Sequence, residues 1–229
     1  MSNRFIPHME ILPPAQMRIW PKLAAVHRFG LVLYGGTAIA LRLGHRSSVD
    51  FDFFTEHLLD KPALNDHFQF IADSTVIQDT ANTYTVLVPP MESTSSHVKV
   101  SFFGAIRFGR VGMPSWTEDG VMQVASLDDL MATKLKVLLQ RVEAKDYIDI
   151  AAMVNAGVSL GKGLASAKRM YGSSFQPSES LKAMVYFEGG DLASLSNETK
   201  NILIASVSRV RDLPQVDLLS SDLTGLPSV

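Results

Sequence analysis

The sequence predicts an α+β fold, in which an α/β unit up to about residue 125 is followed by a helical unit. Two observations point to it. The segments SVDFDFF, STVIQDTANTYTVLVPP and SSHVKVSFFGAIRFGR are rich in Val, Thr, Tyr and Phe, the residues that favour strands. From Ser126 onward that character gives way to long helical runs, beginning with SLDDLMATKLKVLLQRVEAKDYIDIAAMVNAG. The expected division is 1–125 and 126–229.

In chain order, Pro13 and Pro14 precede AQMRIWPKLAAVHRFG, an amphipathic helix interrupted or restarted near Pro21 and stopped by Gly30. LVLYGG reads as a short buried strand ending on Gly35 and Gly36. Thr37 is the expected cap of the next helix, AIALRLGHR. SVDFDFF alternates with period two and is a strand; KPALNDHFQFIA is a helix. Two further strands are separated by Pro89, Pro90 and MESTSS, and GVMQVAS is a last short strand or extended arm. Ser126 caps the first helix of the second half, with Asp129 three residues on in a near capping box. SLGKGLASAKRMYG, PSESLKAMVYFEG and SNETKNILIASVSRVRDL continue the helices, the last capped by Ser196.

Composition excludes several classes. Of 229 residues, 46% are hydrophobic, enough to build a core. A formal charge of −2, from 21 basic and 23 acidic residues, makes no global electrostatic case for nucleic acid and leaves only a local basic face. The absence of cysteine excludes disulfides, zinc–thiolate sites and thiol nucleophiles. No apolar run approaches the ~18 residues of a membrane span. The N-terminal MSNRFIPHMEILPPAQMRIW lacks the apolar stretch of a signal peptide. A soluble, cytoplasmic protein with no membrane partner is the expectation.

The chemistry is concentrated in GGTAIALRLGHRSSVDFDFF. On an extended strand, residues i and i+2 share a face, so Asp50 and Asp52 project together while Val49, Phe51 and Phe53 project into the core. Two adjacent carboxylates repel, and burying them without a cation is costly. A hard divalent cation such as Mg²⁺ resolves the conflict, because it bridges one or two carboxylates to substrate phosphates. Gly35 and Gly36 end a strand just before a helix. That leaves backbone N–H groups at a positive helix terminus, and glycine lets a phosphate approach closely. Ser47 and Ser48 add hydroxyls, and Arg46 adds a fork that matches phosphate oxygens. Together these elements read as one site for a nucleoside triphosphate with metal.

This order of features resembles the nucleotidyltransferase superfamily that includes DNA polymerase beta, and within it the AbiEii/AbiGii-type nucleotidyltransferase toxins. Gly35, Gly36, Thr37, Arg46, Ser48, Asp50 and Asp52 match that family's pattern. A second block, ATKLKVLLQRVEAKDYIDIAAM, matches its helical motif through Lys134, Arg141, Lys145, Asp146 and Asp149. The resemblance runs from about residue 20 to about residue 155. It implies a polymerase-beta-like mixed sheet with flanking helices, followed by a C-terminal helical unit that completes the active-site cleft. It implies transfer of a nucleoside monophosphate from an NTP to an acceptor hydroxyl, with Mg²⁺ or Mn²⁺ on Asp50 and Asp52. The triphosphate would lie on Gly35, Gly36, Thr37 and Ser48, its charge met by Arg46, Lys134 and Arg141. Asp146 would orient those cations or join the catalytic set. An RNA acceptor such as tRNA and a cognate antitoxin are the implied partners.

Physical spacing agrees in part. Lys134 and Arg141 are seven apart, two turns on one helical face, and Lys145 and Asp149 form an i, i+4 pair. One position departs from the pattern. Many polymerase-beta-like enzymes carry a third carboxylate on a later strand, acting as general base. In HVKVSFFG that position is Ser101, with Lys99 on its face. Three readings stay open: two aspartates suffice, Asp146 or Asp149 supplies the base, or the fold is inactive and binds a nucleotide or protein partner. No Gly-x-Ser-x-Gly, His-Glu-x-x-His or Walker-type lysine is present.

Overall fold

A computed structural model describes residues 3–90 and 96–225 of the chain. Most of the expected MESTSS spacer, residues 91–95, lies outside the described residues. The chain divides into two units. The first runs to Gly109, resumes over Met113–Ala125 and includes the segment from Ser221; the second holds Arg110–Gly112 and Ser126–Ser220. The path therefore differs at two places from a single cut after residue 125. Each detour has a local anchor. The buried Asp129 carboxylate accepts N–H bonds from Val111, 2.7 Å, and Gly112, 3.2 Å. The returning tail donates from Leu223 N to Glu56 and from Gly225 N to Gln123.

The first unit is built on one mixed, eight-stranded sheet. Its elements are β1 (Arg4–Phe5), α1 (Pro14–Ile19), β2 (Val32–Tyr34), α2 (Gly35–Leu43), β3 (Asp50–Phe54), α3 (Lys61–His67), α4 (Gln69–Ala72), β4 (Thr75–Thr80), β5 (Thr83–Val88), β6 (Val98–Phe103), β7 (Ser115–Thr117) and β8 (Gln123–Val124). The strand order is β1-β7-β8-β2-β3-β6-β5-β4. β3 lies at its centre, antiparallel to β2 and parallel to β6. The two-residue β1 and three-residue β7 carry too short a pattern to stand out in the sequence. The expected helix over residues 61–72 breaks at Phe68, whose backbone (φ −100°, ψ 87°) is not helical.

One face of β3 is an aromatic core. Phe51 and Phe53 are fully buried, and Phe53 stacks on Phe102 of β6 at 5.9 Å between ring centroids. Val49 does not join them: it precedes the strand and is 48% exposed. Its carbonyl is held by the buried Gln16 side chain at 2.8 Å. On the opposite face Tyr34 stacks on Phe54 at 4.9 Å.

The second unit is helical: α5 (Leu127–Val137), α6 (Ala144–Asn155), α7 (Leu160–Tyr171), α8 (Pro177–Val185) and α9 (Asn197–Arg209). Ser126, Ser159 and Ser196 cap α5, α7 and α9, each accepting a backbone N–H three residues on. Gly163 allows α7 to lie against α5, since a Cβ there would fall 2.3 Å from Met131 Cγ. Among the described residues no helix is long and apolar enough to cross a membrane.

Candidate active site

The first group of residues is assembled by β2, α2 and β3. Gly35 has a left-handed φ of +73°, which turns the chain from β2 directly into α2. Helix α2 therefore starts on the glycines themselves, and no side chain caps it. Thr37, expected as the cap, sits inside the first turn instead. Its hydroxyl bonds the Asp50 carbonyl and, at 2.8 Å, the Ser48 hydroxyl. Thr37 and Ser48 are both buried, so this link ties the start of α2 to the edge of β3.

Asp50 and Asp52 lie on one face of β3, as the period of the strand requires. The register places Tyr34 opposite Asp52 on one side, and Lys99 and Ser101 opposite Asp50 and Asp52 on the other. Lys99 Nζ lies 2.9 Å from Asp50 Oδ2, and Ser101 is buried. Gly35 is packed on Asp52, with space for no Cβ. Arg46 lies in the segment between α2 and β3, and its guanidinium donates to the Ser47 carbonyl at 2.9 Å. The structure thus brings together Gly35, Gly36, Thr37, Ser48, Asp50 and Asp52. The sequence marks Lys99 only as a neighbour of Ser101; the β3–β6 register makes it Asp50's partner.

The donor set suits a hard divalent cation. Two carboxylates share a face, and Asp50 is 31% exposed at its side chain. One or two carboxylates completed by substrate phosphates is the usual Mg²⁺ arrangement.

The second group lies in the helical unit. Lys134 on α5 is buried and reaches two fully buried carboxylates of α6: Asp146 at 2.6 Å and Asp149 at 2.7 Å. Arg141 binds Asp146 from the other side, through Nε at 2.8 Å and Nη2 at 3.1 Å. The expected two-turn helical stripe of Lys134 and Arg141 is not formed, because α5 ends at Val137 and Arg141 lies in the connection to α6. The two cations still converge, on the carboxylate of Asp146. Lys145 does not pair with Asp149; it pairs with Glu143 at 2.8 Å, while Lys134 reaches Asp149.

Electrostatics follow from this wiring. Burial pushes the Asp146 carboxyl upward, but hydrogen bonds from Arg141 and the charge of Lys134 outweigh it and hold the carboxyl below its usual range. Asp129 goes the other way. Burial raises its carboxyl despite bonds from Ser126, Val111 and Gly112. Two cations and two carboxylates make the Lys134–Arg141–Asp146–Asp149 cluster formally neutral, the usual condition for burying charge.

Comparison with known proteins gives the family and the fold. A family model described as the nucleotidyl transferase AbiEii toxin of type IV toxin–antitoxin systems matches residues 23–212. An uncharacterized protein of Aquifex aeolicus is 28% identical over 159 residues, which span 68% of this chain and 73% of the relative. Two solved structures share the fold at low identity. The nucleotidyltransferase toxin MenT4 of Mycobacterium tuberculosis superposes with a TM-score of 0.57 at 12% identity, covering 86% of this chain and 84% of that one. An H. pylori protein named as a candidate nucleotidyltransferase superposes with a TM-score of 0.55 at 17% identity, covering 85% and 90%.

Proposed function

Because the chain belongs to the AbiEii nucleotidyl transferase toxin family and is an enzyme of the nucleotidyltransferase type, we propose that it transfers a nucleoside monophosphate from an NTP to an acceptor hydroxyl of RNA, tRNA being the first candidate. The observation that carries this reading is the shared face of Asp50 and Asp52 beside the uncapped start of α2 at Gly35. Asp50 and Asp52 would hold Mg²⁺ or Mn²⁺, which would neutralise charge on the phosphates. Gly35, Gly36 and Thr37 offer backbone N–H groups to phosphate, with Arg46 as a cationic partner. Thr37 and Ser48, bonded to each other, keep that turn in place against β3.

In the reaction the acceptor oxygen bonds to the α-phosphorus. The α-phosphorus bond to the β-phosphate bridging oxygen breaks, and pyrophosphate leaves. With Ser101 in place of a third carboxylate, the acceptor's proton passes to water. In the helical unit Lys134 holds Asp146 and Asp149, and Asp146 fixes Arg141, whose side chain is 44% exposed. Asp146 is a positioning residue in this scheme: its oxygens are taken by Lys134 and Arg141, and it is wholly buried. The toxin family also supports a cognate antitoxin as the cellular counterpart.

The test is label transfer. Purified protein is incubated with each α-labelled NTP, Mg²⁺ and total RNA, beside the Asp50→Ala/Asp52→Ala variant. Label in an RNA band from the wild type alone is the expected result. Label in a protein band moves the acceptor to protein, and NTP binding without any transfer overturns the assignment.

A further inference from the structure

The carboxylate face of β3 carries a positive charge of its own. In a parallel pair, residues in register present their side chains to the same face. Asp50, Asp52, Lys99 and Ser101 therefore share one surface. Lys99 Nζ is 2.9 Å from Asp50 Oδ2, and both side chains are about one-third exposed. Opposite Asp52 stands neutral, buried Ser101. These four side chains include two carboxylates and one ammonium, and the ammonium is paired with Asp50.

We propose that Lys99 is the resident counter-cation of Asp50 and makes cation binding depend on the nucleotide. The inference rests on the reading of Asp50 and Asp52 as carboxylates for a metal-bound nucleoside triphosphate. A bare divalent cation approaching Asp50 meets the Lys99 ammonium and must break its ion pair, with nothing offered to Lys99 in return. A cation that arrives on a triphosphate brings phosphate oxygens, and Lys99 exchanges Asp50 for one of them. Charge is balanced throughout: Asp50 trades an ammonium for a cation, and Lys99 trades a carboxylate for a phosphate. Lys99 thus serves as a positioning residue that admits the cation together with its nucleotide and disfavours it alone. A third carboxylate at position 101 would have the opposite effect, by adding attraction for a free cation.

The test measures binding of Mn²⁺ by the loss of its free spin-resonance signal. Wild type, Lys99→Met, Lys99→Gln, Lys99→Arg and Asp50→Ala/Asp52→Ala proteins are compared. Each is titrated alone and with non-hydrolysable α,β-methylene analogues of the four NTPs. Lys99→Met and Lys99→Gln are expected to bind Mn²⁺ alone up to about fivefold tighter than wild type, the scale of one partly exposed charge pair. They are expected to bind the Mn²⁺–analogue complex more weakly, and Lys99→Arg restores both values toward wild type. Unchanged Mn²⁺ affinity in Met and Gln variants that remain folded overturns the role of Lys99 and leaves it an ordinary cross-strand ion pair. Undiminished binding of the Mn²⁺–analogue complex by the double aspartate variant overturns the underlying reading of the site.

Discussion

Gly35 and Asp52 are packed so closely that a methyl group on Gly35 would stand 2.7 Å from Asp52 Oδ2. Gly35 also adopts φ +73°, which costs an L-residue about 1–2 kcal/mol. Replacement by alanine should act twice: it strains the β2–α2 turn and displaces one of the two carboxylates. Gly35→Ala is expected to lower label transfer by at least about tenfold, through a shift of Asp52 worth roughly 1.4 kcal/mol or more in the transition state. Steady-state transfer assays beside urea denaturation read the two effects separately. Wild-type transfer in a folded Gly35→Ala protein would show that the close packing is dispensable.

The Lys134 cluster predicts an asymmetry between its members. Lys134→Met leaves two fully buried carboxylates short of their shared ammonium, and removing one partner of a buried pair costs about 3–5 kcal/mol. Arg141, with its side chain 44% exposed, is screened by water, so Arg141→Ala should cost about 1 kcal/mol or less in stability. Chemical denaturation of the two variants decides it. Equal losses would mean that the buried wiring does not control the stability of α5 and α6.

The two shifted aspartates predict opposite pH dependences. The folded Asp146 carboxyl lies below the ordinary 3.8, so its contribution is complete above that value and is lost as pH falls through the lower folded value. Folded Asp129 lies above 3.8, so its contribution is complete below that value and is lost as pH rises through the higher folded value. Urea midpoints measured over a pH series should show Asp146→Asn flattening the acid limb of the profile. Asp129→Asn should flatten the decline on the other side of 3.8. A variant whose deficit is the same at every pH would disprove the shift assigned to that residue.

Gly163 marks the close approach of α5 and α7. An added Cβ would meet Met131 Cγ at 2.3 Å, and overpacking of this kind typically costs about 1–3 kcal/mol. Gly163→Ala should therefore destabilise the helical unit, although alanine is the better helix former by about 1 kcal/mol. Met131→Ala in the same chain is expected to recover part of the loss. A thermal midpoint at or above that of wild type in the single variant would refute the contact.

The candidate site was legible where its signals are local. Glycines that bend a chain, serines that cap helices and period-two strands follow from conformational preferences within a few residues. Asp50 and Asp52 were therefore placed on one face of a strand from the sequence, and Phe51 and Phe53 on the other. Thr37 is not the cap that the sequence suggests, because Gly35 and Gly36 are the first residues of α2 and not the end of the β2 strand. The Lys134 helix does not reach Arg141, because α5 ends at Val137.

Partnerships across long stretches of chain came from the packed molecule. Lys99 meets Asp50 because β6 runs parallel to β3 in one register, and that register is set by burying Phe51, Phe53, Val100 and Phe102 on the far side. Val111 and Gly112 join the helical unit because a buried Asp129 carboxylate needs donors, and theirs are the N–H groups within reach. Lys134 and Arg141 converge on Asp146 for the same reason, since a carboxylate removed from water must find its charge partners inside. The primary sequence specifies the chemistry of each side chain and the face of the element it occupies. Burial of the core then selects which of those side chains meet.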